Sequence, residues 1–269
     1  MRILYLTVSA ALIGCGSVPA QSPLADRILG VRDGTVRLAY GVHEGICGDG
    51  ATFIRDRSRG DDNFISFDDG NSKWRGHTGS WRYAACEPGP ARVAITKQDG
   101  AVTRVRVYVG GEWGQSGSGV TDLGAVAAPA AAKALVILAG RERRADEAIF
   151  AAMIADSAVI WPDLLSIAKN TSAPTGNRKN AVFWLSQIAG DAATKGLTDI
   201  AEADDGDREV REQAVFALSQ LPEDQGVPVL IRLARSNRDP KIRRKAIFWL
   251  GQSDDPRALQ LIEEILTRG

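Results

Sequence analysis

Few residues in this chain are equipped for acid–base, nucleophilic or metal chemistry. Its 269 residues hold two histidines, His43 and His77, and three cysteines, Cys15, Cys47 and Cys86. A Ser-His-Asp arrangement would have to use one of those histidines. Thr78 and Ser80 lie beside His77, but no nucleophile-elbow sequence frames them, so His77 reads as a polar loop residue. His43 and Asp49 flank Cys47 in the manner of a thiol or metal site. There is no CxxC and no second ligand cluster, however, and Cys47 and Cys86 read better as a disulfide in an oxidising compartment. Asp61, Asp62, Asp68 and Asp69 lack the spaced ligand loop of a calcium-binding helix pair and read as turn and surface residues. Gly110-Gly111 and Gly117-Ser118-Gly119 are not followed by Gly-Lys-Ser/Thr, so no phosphate loop is present. These residues imply no catalytic centre, no metal and no cofactor.

Charge offers binding rather than catalysis. Arg232, Arg235, Arg238, Lys241, Arg243, Arg244 and Lys245 are seven cations within fourteen residues, with Asp239 the only acid among them. Arg232, Arg235, Arg238, Lys241, Arg244 and Lys245 are the candidate contacts for an acidic protein partner. The opposing reading is that they pair with acids of neighbouring segments. Such acids exist at Glu202, Asp204, Asp205, Asp207 and Glu209, which precede a helix start. Lys+Arg and Asp+Glu both total 33, which removes the broad basic footprint that nucleic-acid binding needs. Trp184 and Trp249 recur in one phase and read as packing between repeats. Trp74, Trp81 and Trp113 leave open an aromatic, glycan-binding surface on the first half.

The elements that carry these residues change period midway. From about residue 27 to 110 apolar side chains alternate. Val36, Leu38 and Tyr40 share a face after Asp33-Gly34, Val93 and Ile95 share another, and Thr103, Val105, Val107 and Val109 a third. Asp99-Gly100 between the last two runs predicts a tight hairpin. Shorter strands are expected at 52–55, 64–67 and 80–84. The expectation for 21–111 is a small antiparallel β domain, a sandwich or open barrel. Its disulfide closes a loop that chain entropy values at roughly 4 kcal/mol. The Gly/Ser-rich stretch 112–124 reads as a linker, and 125–269 turns Ala-rich and helical.

Self-comparison of that second half decides its architecture. Ala148, Ala181, Ala214 and Ala246 recur every 32 or 33 residues, and Phe150, Phe183, Phe216 and Phe248 keep the same phase. A second block follows in register. Leu164, Ile167 and Ala168 correspond to Leu197, Ile200 and Ala201, to Leu230, Leu233 and Ala234, and to Ile262, Ile265 and Leu266. Each unit is thus two short amphipathic helices. Asp207 and Asp239 stand at expected N-caps, with Asp191, Asp224 and Asp255 expected to cap the second helices. A pair of ~11-residue helices cannot bury its own stripes, so the units must stack.

Val210-Arg211-Glu212-Gln213-Ala214-Val215-Phe216-Ala217-Leu218 and Ile242-Arg243-Arg244-Lys245-Ala246-Ile247-Phe248-Trp249-Leu250 resemble bacterial HEAT repeats of the short, phycobilisome-lyase-like type. They share a capping Asp, a Val/Ile-Arg pair, and Ala and Leu four residues apart. Arg178 holds the Arg position one unit earlier, behind Asn177 in place of the apolar residue, and the unit around Ala148 lacks the Arg. The resemblance spans about 144–269 and implies an α-solenoid of about four helix pairs behind a leading helix near Ala127–Ala139. The iron-binding hydroxylases of this fold carry His-Glu pairs on their repeat helices, whereas no histidine follows His77 here.

The N-terminus reads as an export signal. Met1-Arg2 leads a run from Ile3 to Gly14, too short for the roughly 20 residues a membrane span takes. Leu12-Ile13-Gly14-Cys15 resembles a lipobox, making Cys15 a lipidation candidate. Val18-Pro19-Ala20 offers ordinary cleavage after Ala20. The expected protein is α+β and multidomain: signal peptide 1–20, disulfide-linked β domain, linker, HEAT-like α-solenoid. It would be a periplasmic or outer-membrane lipoprotein, otherwise secreted, touching membrane only through its lipid. Its expected role is a non-enzymatic adaptor that binds another protein along the solenoid. The alternative is a ligand- or glycan-binding β module with the solenoid as stalk or relay.

Overall fold

The computed structural model describes residues 24–51, 53–56, 63–68, 71–76, 86–114, 117–187, 191–204 and 206–268. The export segment, Cys15 included, lies outside them, as do His77, Thr78, Asp61, Asp62, Asp69, Trp81 and the strand expected at 80–84.

A short helix, α1 (Leu24–Gly30), opens the described chain and is followed by eight strands: β1 (Gly34–Tyr40), β2 (Ile46–Gly48), β3 (Phe53–Asp56), β4 (Asn63–Asp68), β5 (Asn71–Gly76), β6 (Ala91–Gln98), β7 (Ala101–Val109) and β8 (Val120–Ala125). They form two four-stranded sheets, ordered β7-β6-β1-β8 and β2-β3-β4-β5. Alternation works as expected in β1, where Val36, Leu38 and Tyr40 are buried. The β6–β7 hairpin turns at Asp99 and Gly100, both at positive φ, the conformation that matches the twist of the flanking strands.

Three expectations need correction. The register between β6 and β7 slips between Thr96 and Lys97, and this bulge puts Val102 rather than Thr103 on the buried face. The segment 112–124, expected as linker, runs into β8, which pairs parallel with β1 and makes the sheet mixed rather than antiparallel. β8 buries none of its residues, so it shows no apolar alternation to read. The two halves also share one continuous core instead of standing apart. The buried Tyr40 hydroxyl donates to the Ala151 carbonyl at 2.6 Å, pinning the sheet to a helix 111 residues later.

Cys47 and Cys86, 39 residues apart, form the disulfide and tie β2 to the approach of β6. Gly48 is required beside it. A Cβ there would lie 2.6 Å from the Val109 carbonyl oxygen and 2.8 Å from that of Phe53, closer than any side chain tolerates. Lys97, almost fully buried, donates to the carbonyls of Ile28 and Leu29 and caps the C-terminus of α1.

Among the described residues nine helices follow: α2 (Ala128–Arg141), α3 (Glu147–Met153), α4 (Trp161–Lys169), α5 (Thr175–Ser186), α6 (Asp191–Glu202), α7 (Arg208–Ser219), α8 (Glu223–Ser236), α9 (Pro240–Leu250) and α10 (Pro256–Arg268). They lie in two layers. α2, α4, α6, α8 and α10 touch in succession on one side, and α3, α5, α7 and α9 on the other. The repeated alanines Ala148, Ala181, Ala214 and Ala246 are wholly buried, as small residues must be where helices approach closely. Asp207, Asp239 and Asp255 accept the backbone N–H groups of Glu209, Lys241 and Arg257 and cap α7, α9 and α10 as expected. Asp224 does not cap α8. The N-cap there is Pro222, and Asp224 sits in the first turn, where its charge still favours the helix dipole.

Candidate interaction surface

Two buried arginines at the same repeat position tie successive units of the helical half together. Arg178 of α5 and Arg211 of α7 are buried, each donating from Nε to the last carbonyls of the preceding helix, Ala168 at 3.1 Å and Ala201 at 3.4 Å. Each also reaches forward to the N-cap aspartate of the next repeat. Arg178 Nη1 lies 3.7 Å from Asp207, and Arg211 Nη1 lies 3.3 Å from Asp239. One guanidinium therefore satisfies the end of one helix and locks the start of another. The Lys241 backbone N–H, together with the Arg211 and Arg208 guanidiniums, holds Asp239 below the usual carboxylate range. Between the two arginines lies a cavity of about 330 Å³, walled also by Lys169, Asp199, Ile200 and Val210.

The aromatic residues follow the same step. Phe150 meets Trp184 at 5.5 Å and Phe216 meets Trp249 at 5.1 Å, so the aromatic face of one helix packs on the next. Both tryptophans are packing residues between repeats. Trp113 is occupied as well, with the guanidiniums of Arg37 and Arg92 4.7 and 5.0 Å from its ring. Arg92 is itself buried and donates to the carbonyls of Gly110, Glu112 and Gly50, so this cluster knits loops together.

The cation run divides in two. Arg232 pairs with Glu202 at 2.9 Å, Arg235 with Glu264 at 2.7 Å and Arg238 with Asp204 at 2.5 Å. Lys179 likewise takes Glu209 at 3.0 Å. Much of the acidic patch is therefore the counterpart of basic residues one repeat away. Arg243 hydrogen-bonds the carbonyls of Asn237 and Arg238. Lys241 and Arg244 are exposed and Lys245 is half-buried, and none of the three forms an ion pair among the described residues.

Residues 194–269 match the family model for HEAT repeats. The span takes in most of α6 and all of α7 through α10, the helices that carry the Arg211–Asp239 lock and the cation run. The two-layer packing begins earlier, at α2, so the match covers its C-terminal part. No curated protein matches the chain.

Among the described residues no cluster of His, Cys, Asp and Glu has the makings of a metal site, and no helix is long and apolar enough to cross a membrane. His43 is in contact with the Glu44 carbonyl at 3.1 Å, through Nδ1. Burial first, then the adjacent Asp146 carboxylate, pushes the Glu147 carboxyl up to about 7, with Arg104 opposing. The signal in the sequence is only Asp146-Glu147 at a helix start, an ordinary pattern whose burial under the sheet cannot be seen without the fold.

Proposed function

We propose that the protein is a non-enzymatic adaptor of the cell envelope that binds another protein through a HEAT solenoid of the short, phycobilisome-lyase-like type. The observation that carries this reading is the HEAT match over helices whose outer surfaces bear paired charges and uncovered apolar residues. HEAT repeats are generally protein-interaction scaffolds, and a stack of helix pairs presents a long surface that needs no catalytic residue. Export rests on the residues before position 21, with Cys15 as the lipid anchor or cleavage after Ala20, and the disulfide fits an oxidising compartment.

Because the two halves share a core, the full mature chain is the proper bait. Cross-linking mass spectrometry in envelope preparations should place partner cross-links on residues 144–268. Cross-links confined to 34–114 would overturn the adaptor reading in favour of the β module. Intact mass of the mature protein distinguishes a lipidated Cys15 from a free N-terminus at residue 21.

A further inference from the structure

α9 repeats α5 almost residue for residue. Arg178-Lys179-Asn180-Ala181-Val182-Phe183-Trp184-Leu185 corresponds to Arg243-Arg244-Lys245-Ala246-Ile247-Phe248-Trp249-Leu250. The α5 face is covered by α7, and the contacts show what such a face accepts. The N-cap Asp207 meets Arg178 at 3.7 Å, Glu209 meets Lys179 at 3.0 Å, and Val182 is completely buried. On α9 the same positions are open. Phe248 is 54% exposed, Ile247 is only partly buried, and Arg244 has no acid beside it among the described residues.

The second helix of this hairpin agrees. Ile167 with Ala168, Ile200 with Ala201, and Leu233 with Ala234 are buried, whereas Ile265 and Leu266, which hold those positions in α10, are 41% and 75% exposed. Among the described residues the expected burial of that stripe fails at Ile265 and Leu266. An uncovered apolar strip flanked by cations on one face points to an interaction site.

Charge selects the occupant. Arg243 and Arg244, which hold the positions of Arg178 and Lys179, would face their own kind if two copies met α9 to α9, and like charges oppose such a pairing. We infer that the outer face of α9 and α10 docks an acidic amphipathic helix of a partner protein, one that starts Asp-x-Glu-apolar as α7 does at Asp207-Arg208-Glu209-Val210. The partner's Asp would meet Arg243, its Glu would meet Arg244, and its apolar stripe would cover Ile247, Phe248 and Leu266. This deepens the adaptor reading and rests on it.

The test uses the full mature chain and a fluorescent synthetic peptide with the sequence of residues 206–236, the hairpin that α5 already accepts. Titration followed by anisotropy should give saturable binding that weakens as salt rises. Arg244→Glu and Phe248→Ser in the protein should each weaken it at least tenfold. Both side chains are solvent-facing, and an unchanged thermal midpoint confirms that the variants fold. A peptide bearing Asp207→Lys and Glu209→Lys should not bind. Failure to saturate at millimolar peptide, or binding indifferent to both variants, overturns the inference. So does a dimer in sedimentation that Phe248→Ser dissociates, since a second copy would then own the face. If the peptide fails while envelope cross-links still map to 144–268, the adaptor reading stands and only this docking face is lost.

Discussion

Glu147 is the residue whose chemistry the fold alters most. Its carboxyl titrates near 7 in the folded chain against 4.5 for an unperturbed group. Between those values the folded protein holds a proton that the unfolded chain has lost, so stability falls as pH rises from about 4.5 to 7. Thermal midpoints across that range should decline for the native chain, and Glu147→Gln should flatten the slope. A slope unchanged in the variant would mean that another group is responsible. Asp207 makes the complementary case, since its carboxylate caps α7 and sits beside Arg178. Asp207→Ala should cost about 1 kcal/mol from the cap alone, and more through the arginine left beside it, read as a lower denaturant midpoint. The caps at Asp207 and Asp239 were legible because capping is local chemistry. For Arg232 and Arg238 the sequence offered both a partner site and pairing with Glu202 and Asp204, and only the fold decides for pairing, because those acids lie about one repeat away.

At the scale of elements, what the sequence revealed depended on how much of each element is buried. β1, β6 and most of β7 betray themselves through alternation, and α5 to α9 through a stripe recurring in phase. β8 has no buried face and the seven-residue α1 is too short for a period, so neither was visible. The bulge at Thr96–Lys97 likewise escapes any strict two-residue rule. Packing between elements makes a sharp prediction at Gly226, whose Cβ would collide with the backbone carbonyl of Leu218 at the end of α7. Alanine gains about 1 kcal/mol of helix propensity, but overpacking against backbone typically costs about 1–3 kcal/mol. Gly226→Ala should therefore lower the denaturant midpoint, whereas the exposed Gly176→Ala in α5, with nothing near its Cβ, should raise it. In the β half, replacing Cys47 and Cys86 by serine should cost at most about 4 kcal/mol, the entropy of the loop they close. Urea titration of the variant measures it.

For the molecule as a whole, the repeat period in the sequence anticipated the stacked helices, while the shared core joining sheet and helices was hidden. The residues that join them, Tyr40 and Ala151, look like ordinary core positions within their own halves. Joining covers one end of the stack with the sheet, whereas among the described residues Phe248 of α9 and Ile265 and Leu266 of α10 are exposed. Protection of backbone amides should follow that gradient, because local opening is easiest where fewest apolar contacts hold a helix. Hydrogen exchange of the full chain tests this most directly. Exchange should be slow in α5 and α7, covered on both sides, and markedly faster in α9 and α10, with slowing confined to α9 and α10 when the 206–236 peptide is added. Equal protection of all four helices in the free chain, or an unchanged pattern with saturating peptide, would contradict this expectation.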